Sequence, residues 1–203
     1  MTYLHQSIED IAFPPESFDI VLSSLALHYV ESFEAVVQKI RTCLTADGVF
    51  IFSVEHPVFT AYGSQDWYYD ADGNILHFPV DNYFYEGERQ AIFLGETVRK
   101  YHKTLTTYLN GLLINGFELL HVVEPQPPVH MLSIEGMQDE MRRPMMLLVS
   151  AQKGLEFKCL RVQKRQQKRS RTAGHFCYEA DTAGWLYTFP KDKPIRHSNG
   201  QLV

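Results

Sequence analysis

Two apolar runs, Phe18-Asp19-Ile20-Val21-Leu22-Ser23 and Val49-Phe50-Ile51-Phe52-Ser53-Val54, flank a single helical pattern, and that arrangement leaves the chain few ways to fold. Between them, Phe33, Val36, Val37, Ile40 and Leu44 recur at helical spacing. Ser32 is placed to cap the helix, with Glu34 in its positive first turn. Thr45-Ala46-Asp47-Gly48 is the expected stop, with the glycine ending the helix. Strand, helix and strand with short joints make a βαβ unit, which folds right-handed with its strands parallel. Continuous apolar runs suit strands buried on both faces, as in a parallel sheet.

Downstream the rhythm changes. Residues 57–101 read as an insertion of short antiparallel strands on the substrate side of the sheet, with Asp72-Gly73 a hairpin turn. Thr104 to Ile114 reads as a helix with Leu105, Tyr108, Leu109 and Leu112 on one face, stopped by Asn115-Gly116. Strands are expected over Phe117–Glu124 and Met145–Ala151. From Lys158 to Arg171 there are seven Lys or Arg and no acid, so residues 154–203 read as a basic, disordered or loosely attached tail.

Global properties exclude several classes. The net charge of -5 gives no general attraction to nucleic acid or an acidic membrane. Only the basic run could contact phosphates, and no nucleic-acid fold accompanies it. Three widely spaced cysteines form neither a disulfide framework nor a metal site, so no metal is expected. No apolar run approaches the roughly 18 residues of a membrane helix. The N-terminal residues do not read as a signal peptide, and a cytoplasmic location follows.

The order of pieces through residue 153 resembles the class I S-adenosylmethionine-dependent methyltransferases. The pieces are Ser7-Ile8-Glu9-Asp10-Ile11 with Phe13-Pro14, Ser17-Phe18-Asp19-Ile20-Val21, Leu27-His28-Tyr29 and Leu44 to Phe50 with Asp47-Gly48. More narrowly, Glu55-His56-Pro57, Tyr101-His102-Lys103-Thr104 and Arg142-Arg143-Pro144-Met145 look like a bacterial subgroup acting on small molecules. The resemblance implies an α/β fold: the later part of a Rossmann-like sheet with an antiparallel last strand, an aromatic-rich insertion and a basic C-terminal tail. It implies S-adenosylmethionine as cofactor and a small-molecule methyl acceptor as partner. It also implies that 1–153 is the C-terminal part of the domain. The family's glycine-rich cofactor loop and ribose-binding acid find no match, so the chain reads as truncated, with an exposed sheet edge.

The resemblance places Ser7 and Ile8 at the adenine, with Ser7 standing where an acid is common. The ends of parallel strands at a switch point hold the ligand, which assigns Ser23, Ser24, Leu25 and His28 to the cofactor. Tyr29, Trp67, Tyr83, Tyr85 and Arg143 are candidates for the acceptor, the aromatics as pocket walls and Arg143 as a clamp for an anion. His56 and His102 are base candidates, because histidine moves protons near neutral pH. Each has a plainer alternative: histidines that hold loops, aromatics that form the insertion's own core, a solvated arginine pair. Two functions stay open, methyl transfer to a small molecule, or a non-catalytic methyltransferase-like fragment or binding protein whose basic tail contacts RNA.

Overall fold

A computed structural model describes residues 3–154. The basic tail lies outside the described residues. The βαβ unit forms as its pattern requires: β1 (Phe18–Ser24), α1 (Phe33–Cys43) and β2 (Leu44–Glu55). β1 and β2 are parallel, with Ile20 opposite Val49 and Ser24 opposite Ser53. Ser32 caps α1, its Oγ accepting the Ala35 N–H at 3.2 Å.

The helix stops otherwise than Gly48 suggests. Leu44 is already extended, and the turn residues lie within β2. Asp47 takes the positive φ of 62° and Gly48 does not. A Cβ on Gly48 would come within 2.9 Å of the Thr45 carbonyl, so its role is close approach, not helix capping.

Residues 57–102 form a short helix, α2 (Pro57–Ala61), and two hairpins, β3 (Tyr68–Tyr69) with β4 (Ile75–His77) and β5 (Gly87–Phe93) with β6 (Glu96–His102). The Asp72-Gly73 turn is present, held by Asp70 accepting from the N–H groups of Asp72 and Asn74. α3 (Leu105–Ile114) and the antiparallel pair β7 (Phe117–Val123) and β8 (Met146–Lys153) complete the chain. The main sheet runs β1-β2-β8-β7, with β8 antiparallel to both neighbours.

One face of this sheet packs on α1 and α3. Phe33, Val36, Val37 and Ile40 from α1 meet Phe50, Phe52 and Val54 from β2, Tyr108 and Leu112 from α3, and Leu147 and Val149 from β8. Gly111 allows the helices to close, since a Cβ there would lie 3.1 Å from the Phe33 ring. The opposite face differs from the sequence reading. β1 was expected to be buried on both faces, yet Ile20 is 62% exposed and Leu22 71%. No described element covers that face or pairs with the outer edge of β1. The continuous apolar run records surface that is left open among the described residues.

Candidate functional site

The carboxyl ends of β1 and β2 open side by side, where ligands of parallel sheets bind. Past β1 the chain turns sharply. Leu25 adopts a φ of 50°, unusual for a branched side chain, and its N–H donates to the Ser53 carbonyl at 3.0 Å. Such a residue costs on the order of 1–3 kcal/mol and persists where its surroundings hold it. Ser24 is exposed at this mouth. Ser23 is buried, and its Oγ has no hydrogen-bond partner among the described residues. On the N-terminal side, Ser7 caps a 3-10 turn, Ile8–Asp10, its Oγ accepting from the Glu9 N–H at 3.2 Å. Ile8 packs against the main core. The Glu9 carboxylate then accepts the Glu31 N–H, which ties this turn to the start of α1.

His28 follows the β1 turn and is buried, with the Tyr29 ring tilted against it at a centroid distance of 4.4 Å and 40% exposed. Its Nδ1 accepts the Glu55 N–H at 3.2 Å, which leaves the proton of the neutral ring on Nε2. Burial pulls its pKa down to about 4, helped by Lys100 and Lys103 and opposed by Glu55. Burial also holds Tyr29 above its ordinary range, with Glu55 acting the same way.

The two base candidates are buried. His56 ends β2 and caps α2, its Nδ1 accepting the Val58 N–H at 3.0 Å. Its Nε2 lies 2.8 Å from Glu124 Oε1, off the line of a good hydrogen bond. Burial lowers its pKa while Glu124 opposes that shift. His102 is fully buried, with Nδ1 2.8 Å from Thr60 Oγ1 and Nε2 2.8 Å from the Tyr83 carbonyl. The carbonyl can only accept, so Nε2 donates and the threonine hydroxyl donates to Nδ1. With both nitrogens engaged and no solvent access, His102 joins α2, β6 and the Tyr83 loop.

A buried charged network beside His28 was not anticipated. Lys100 Nζ lies 2.6 Å from Glu55 Oε1 and 2.7 Å from Gln65 Oε1, and Gln65 Nε2 donates to Glu55 Oε2 at 2.8 Å. Lys100 is 2% exposed. Lys103, also buried, donates to the Val30 and Tyr101 carbonyls, and burial pulls its pKa down to about 8. The available signal was strand alternation: Val98, Lys100 and His102 share the inward face of β6.

The aromatic candidates separate. The Tyr83 hydroxyl accepts the Leu105 N–H at 3.1 Å, at the start of α3. Tyr85 is 75% exposed. Trp67 lines a cavity of about 290 Å³ with Phe78, Arg142 and Arg143. The Arg143 guanidinium sits 4.7–4.9 Å from the rings of Phe59, Trp67 and Phe78 and pairs with both Glu140 oxygens. Both Arg143 Nη atoms thus pair with Glu140, while its buried Nε has no partner among the described residues. A larger cleft, about 680 Å³, lies where Glu31, Glu34, Glu86 and Glu88 meet Arg99 and Lys103.

Comparison with known proteins gives consistent matches. The sequence model of a methyltransferase-domain family matches residues 1–52. A Listeria monocytogenes structure described as an S-adenosylmethionine-dependent methyltransferase is 55% identical, with a TM-score of 0.73, over 76% of this chain and 69% of that one. An S-adenosylmethionine-dependent methyltransferase from Mesorhizobium loti is 38% identical, with a TM-score of 0.68, over 74% of this chain and 69% of its own. An uncharacterized protein of Haemophilus influenzae is 32% identical over 155 residues, 73% of this chain. The chain spans 59% of that curated relative's length. Among the described residues no helix is long and apolar enough to cross a membrane.

Proposed function

Because the chain belongs to the S-adenosylmethionine-dependent methyltransferases, we propose that it takes part in transferring a methyl group from S-adenosylmethionine to a small-molecule acceptor. The observation that carries this reading is the mouth of β1 and β2, in a chain 55% and 38% identical to two methyltransferases of known structure. The residues at that mouth fit a polar, cationic cofactor. Ser23 brings a buried hydroxyl that lacks a partner among the described residues, Ser24 an exposed one, and Leu25 a tight turn that brings backbone close to the ligand. Ser7 and Ile8 belong to the adenine side, and with the Ser7 Oγ already bonded to Glu9, backbone groups of this turn serve the base.

The cofactor supplies a methyl group on a positively charged sulfur. The protein's part is to hold the acceptor in line and keep water out, because proximity and orientation carry most of this chemistry. Next to the β1 end, His28 serves the cofactor and its neighbour Tyr29 the acceptor. The Lys100–Glu55–Gln65 network fixes the end of β2, and its backbone N–H orients His28.

Calorimetric titration with S-adenosylmethionine and its demethylated product tests this directly. Saturable binding is expected, together with a rise in Tm through mass action. Absence of both heat and thermal shift would overturn the reading for this chain.

A further inference from the structure

The chain between β2 and β8 folds round the smaller cavity, of about 290 Å³. Val58 belongs to α2, directly after β2, and Pro144 stands two residues before Met146, which pairs with Glu55 at the end of β2. The cavity therefore lies at the end of the sheet that also carries the β1–β2 mouth. Arg142 fastens the β3–β4 hairpin there, donating to the Ile75 and Leu76 carbonyls at 3.5 and 2.7 Å. The walls are apolar or aromatic: Val58, Trp67, Phe78, Val80 and Pro144. His77, Arg142 and Arg143 supply the polar part of the lining. A dry apolar cavity of roughly 150 Å³ takes one benzene ring, so this one has room for two fused rings.

Charge narrows the ligand from both sides. Arg142 pairs with Asp139 and Arg143 with Glu140, and both carboxylates lie outside the cavity lining. A cationic ligand would therefore meet guanidinium groups and no acid. An anion would find no free fork. Both Arg143 Nη atoms are taken by Glu140, and both Arg142 Nη atoms by Asp139 and the hairpin carbonyls. What the walls offer instead is ring surface. Trp67 and Phe78 meet edge to face with centroids 5.4 Å apart, and the Arg143 guanidinium lies 4.9 Å from each. The Arg142 guanidinium adds a further contact to Trp67, at 5.1 Å. A flat aromatic ligand extends this array of rings and guanidinium groups, whereas a saturated one of the same size gains only burial.

We propose that this cavity binds an uncharged, planar aromatic or heteroaromatic molecule of one or two fused rings. On the methyl-transfer reading above, on which this step rests, that molecule is the methyl acceptor. The walls hold its ring, and the paired arginines close one side of the cavity without asking for a charge in return.

Calorimetry on the full chain near neutral pH gives a readout independent of turnover, with one ring system in four forms: naphthol, naphthoate, naphthylmethylammonium and decahydronaphthol. Saturable binding of naphthol is expected, about tenfold tighter than that of each other form. That is the scale of ring-specific contacts for the saturated analogue and of an unpaired charge for the two ions. Val80→Trp fills the cavity from its exposed rim and should abolish naphthol binding at unchanged Tm. Glu140→Gln unpairs the Arg143 guanidinium and should raise the affinity for naphthoate by about tenfold. A merely structural Glu140 would give no such gain, and this variant keeps the test open should Val80→Trp fail to fold. Absence of saturable heat with naphthol, equal affinity for decahydronaphthol, or tighter binding of either ion to the parent overturns the proposal. So does naphthol binding that survives in a folded Val80→Trp, or naphthoate affinity unchanged in Glu140→Gln. Titration with S-adenosylmethionine keeps the two readings apart. A chain that binds cofactor and not naphthol loses only the aromatic acceptor, and one that binds naphthol and not cofactor loses methyl transfer and keeps the aromatic site.

Discussion

His28 illustrates how one buried side chain links the site to stability. Its folded pKa of about 4 lies below the ordinary 6.5, so as pH falls the unfolded chain takes up the proton first. The associated stability is fully present above pH 6.5 and is lost as pH falls through 4, a loss of about 3 kcal/mol by linkage. Urea unfolding at pH 7 and near pH 4 should therefore show a smaller pH-dependent loss in His28→Asn than in the parent, and parallel profiles would exclude this role. Lys100 gives a second test. Lys100→Met leaves the Glu55 carboxylate buried without its cation, and breaking such a pair typically costs about 3–5 kcal/mol. Adding Glu55→Gln to the same chain should recover part of the loss. At this scale the sequence was legible only in part. Histidines, aromatics and arginines are visible as residue types, but their roles depend on partners far along the chain. His102 meets Thr60 and Tyr83, and Arg143 meets Phe59, Trp67 and Phe78. Lys100 and Glu55 find each other across 45 residues, and no local pattern announces that pairing.

At the scale of elements the chain was more readable, because caps and periodicity are local. Ser32 and Thr104 both cap helices in the structure, and the buried faces of α1 and α3 follow their apolar spacing. What failed was the ending of α1, where strand pairing to β1 draws Leu44 out of the helix immediately. The short helix α2 has too few residues to show a period and depends on the His56 cap and Pro57. The start of α3 offers a clean measurement. Thr104 Oγ1 accepts the Thr107 N–H and donates to Glu86 Oε1, which also accepts the Thr104 N–H. Burial alone would raise the Glu86 pKa, but these bonds and that from Thr107 outweigh it and hold it below the usual range. Thr104→Val keeps the shape and removes the hydroxyl. It should cost about 1–2 kcal/mol, the scale of a lost N-cap, and raise the Glu86 pKa. Urea unfolding and carboxyl NMR titration measure both effects. An unchanged Glu86 would show that the hydroxyl does not support the carboxylate.

Across the whole described molecule, the two faces of the main sheet obey different rules, and the apolar sequence conceals this. Ser23, opposite Phe52 in the β1–β2 register, is buried, while its neighbour Leu22, opposite Ile51, is 71% exposed. Alternation along β1 thus separates a face packed on α1 and α3 from one that no described element covers. Binary pattern cannot reveal this, since a strand awaiting a second layer and a strand already sandwiched carry the same residues. Mutational cost can. Phe52→Ala removes a ring packed among Phe33, Phe50 and Tyr108 and should cost about 3–5 kcal/mol. Leu22→Lys alters an exposed side chain on an edge strand and should change stability by no more than about 0.5 kcal/mol. A lysine there also lowers the tendency of an open strand edge to pair with another chain. Sedimentation velocity on the double variant Ile20→Lys, Leu22→Lys should accordingly show less self-association than the parent at equal concentration. If Leu22→Lys instead destabilised the full chain by 2 kcal/mol or more, on the order of a fully buried leucine, that face would be covered in solution. The open side of the sheet would then be as much a part of this protein's core as the side packed on its helices.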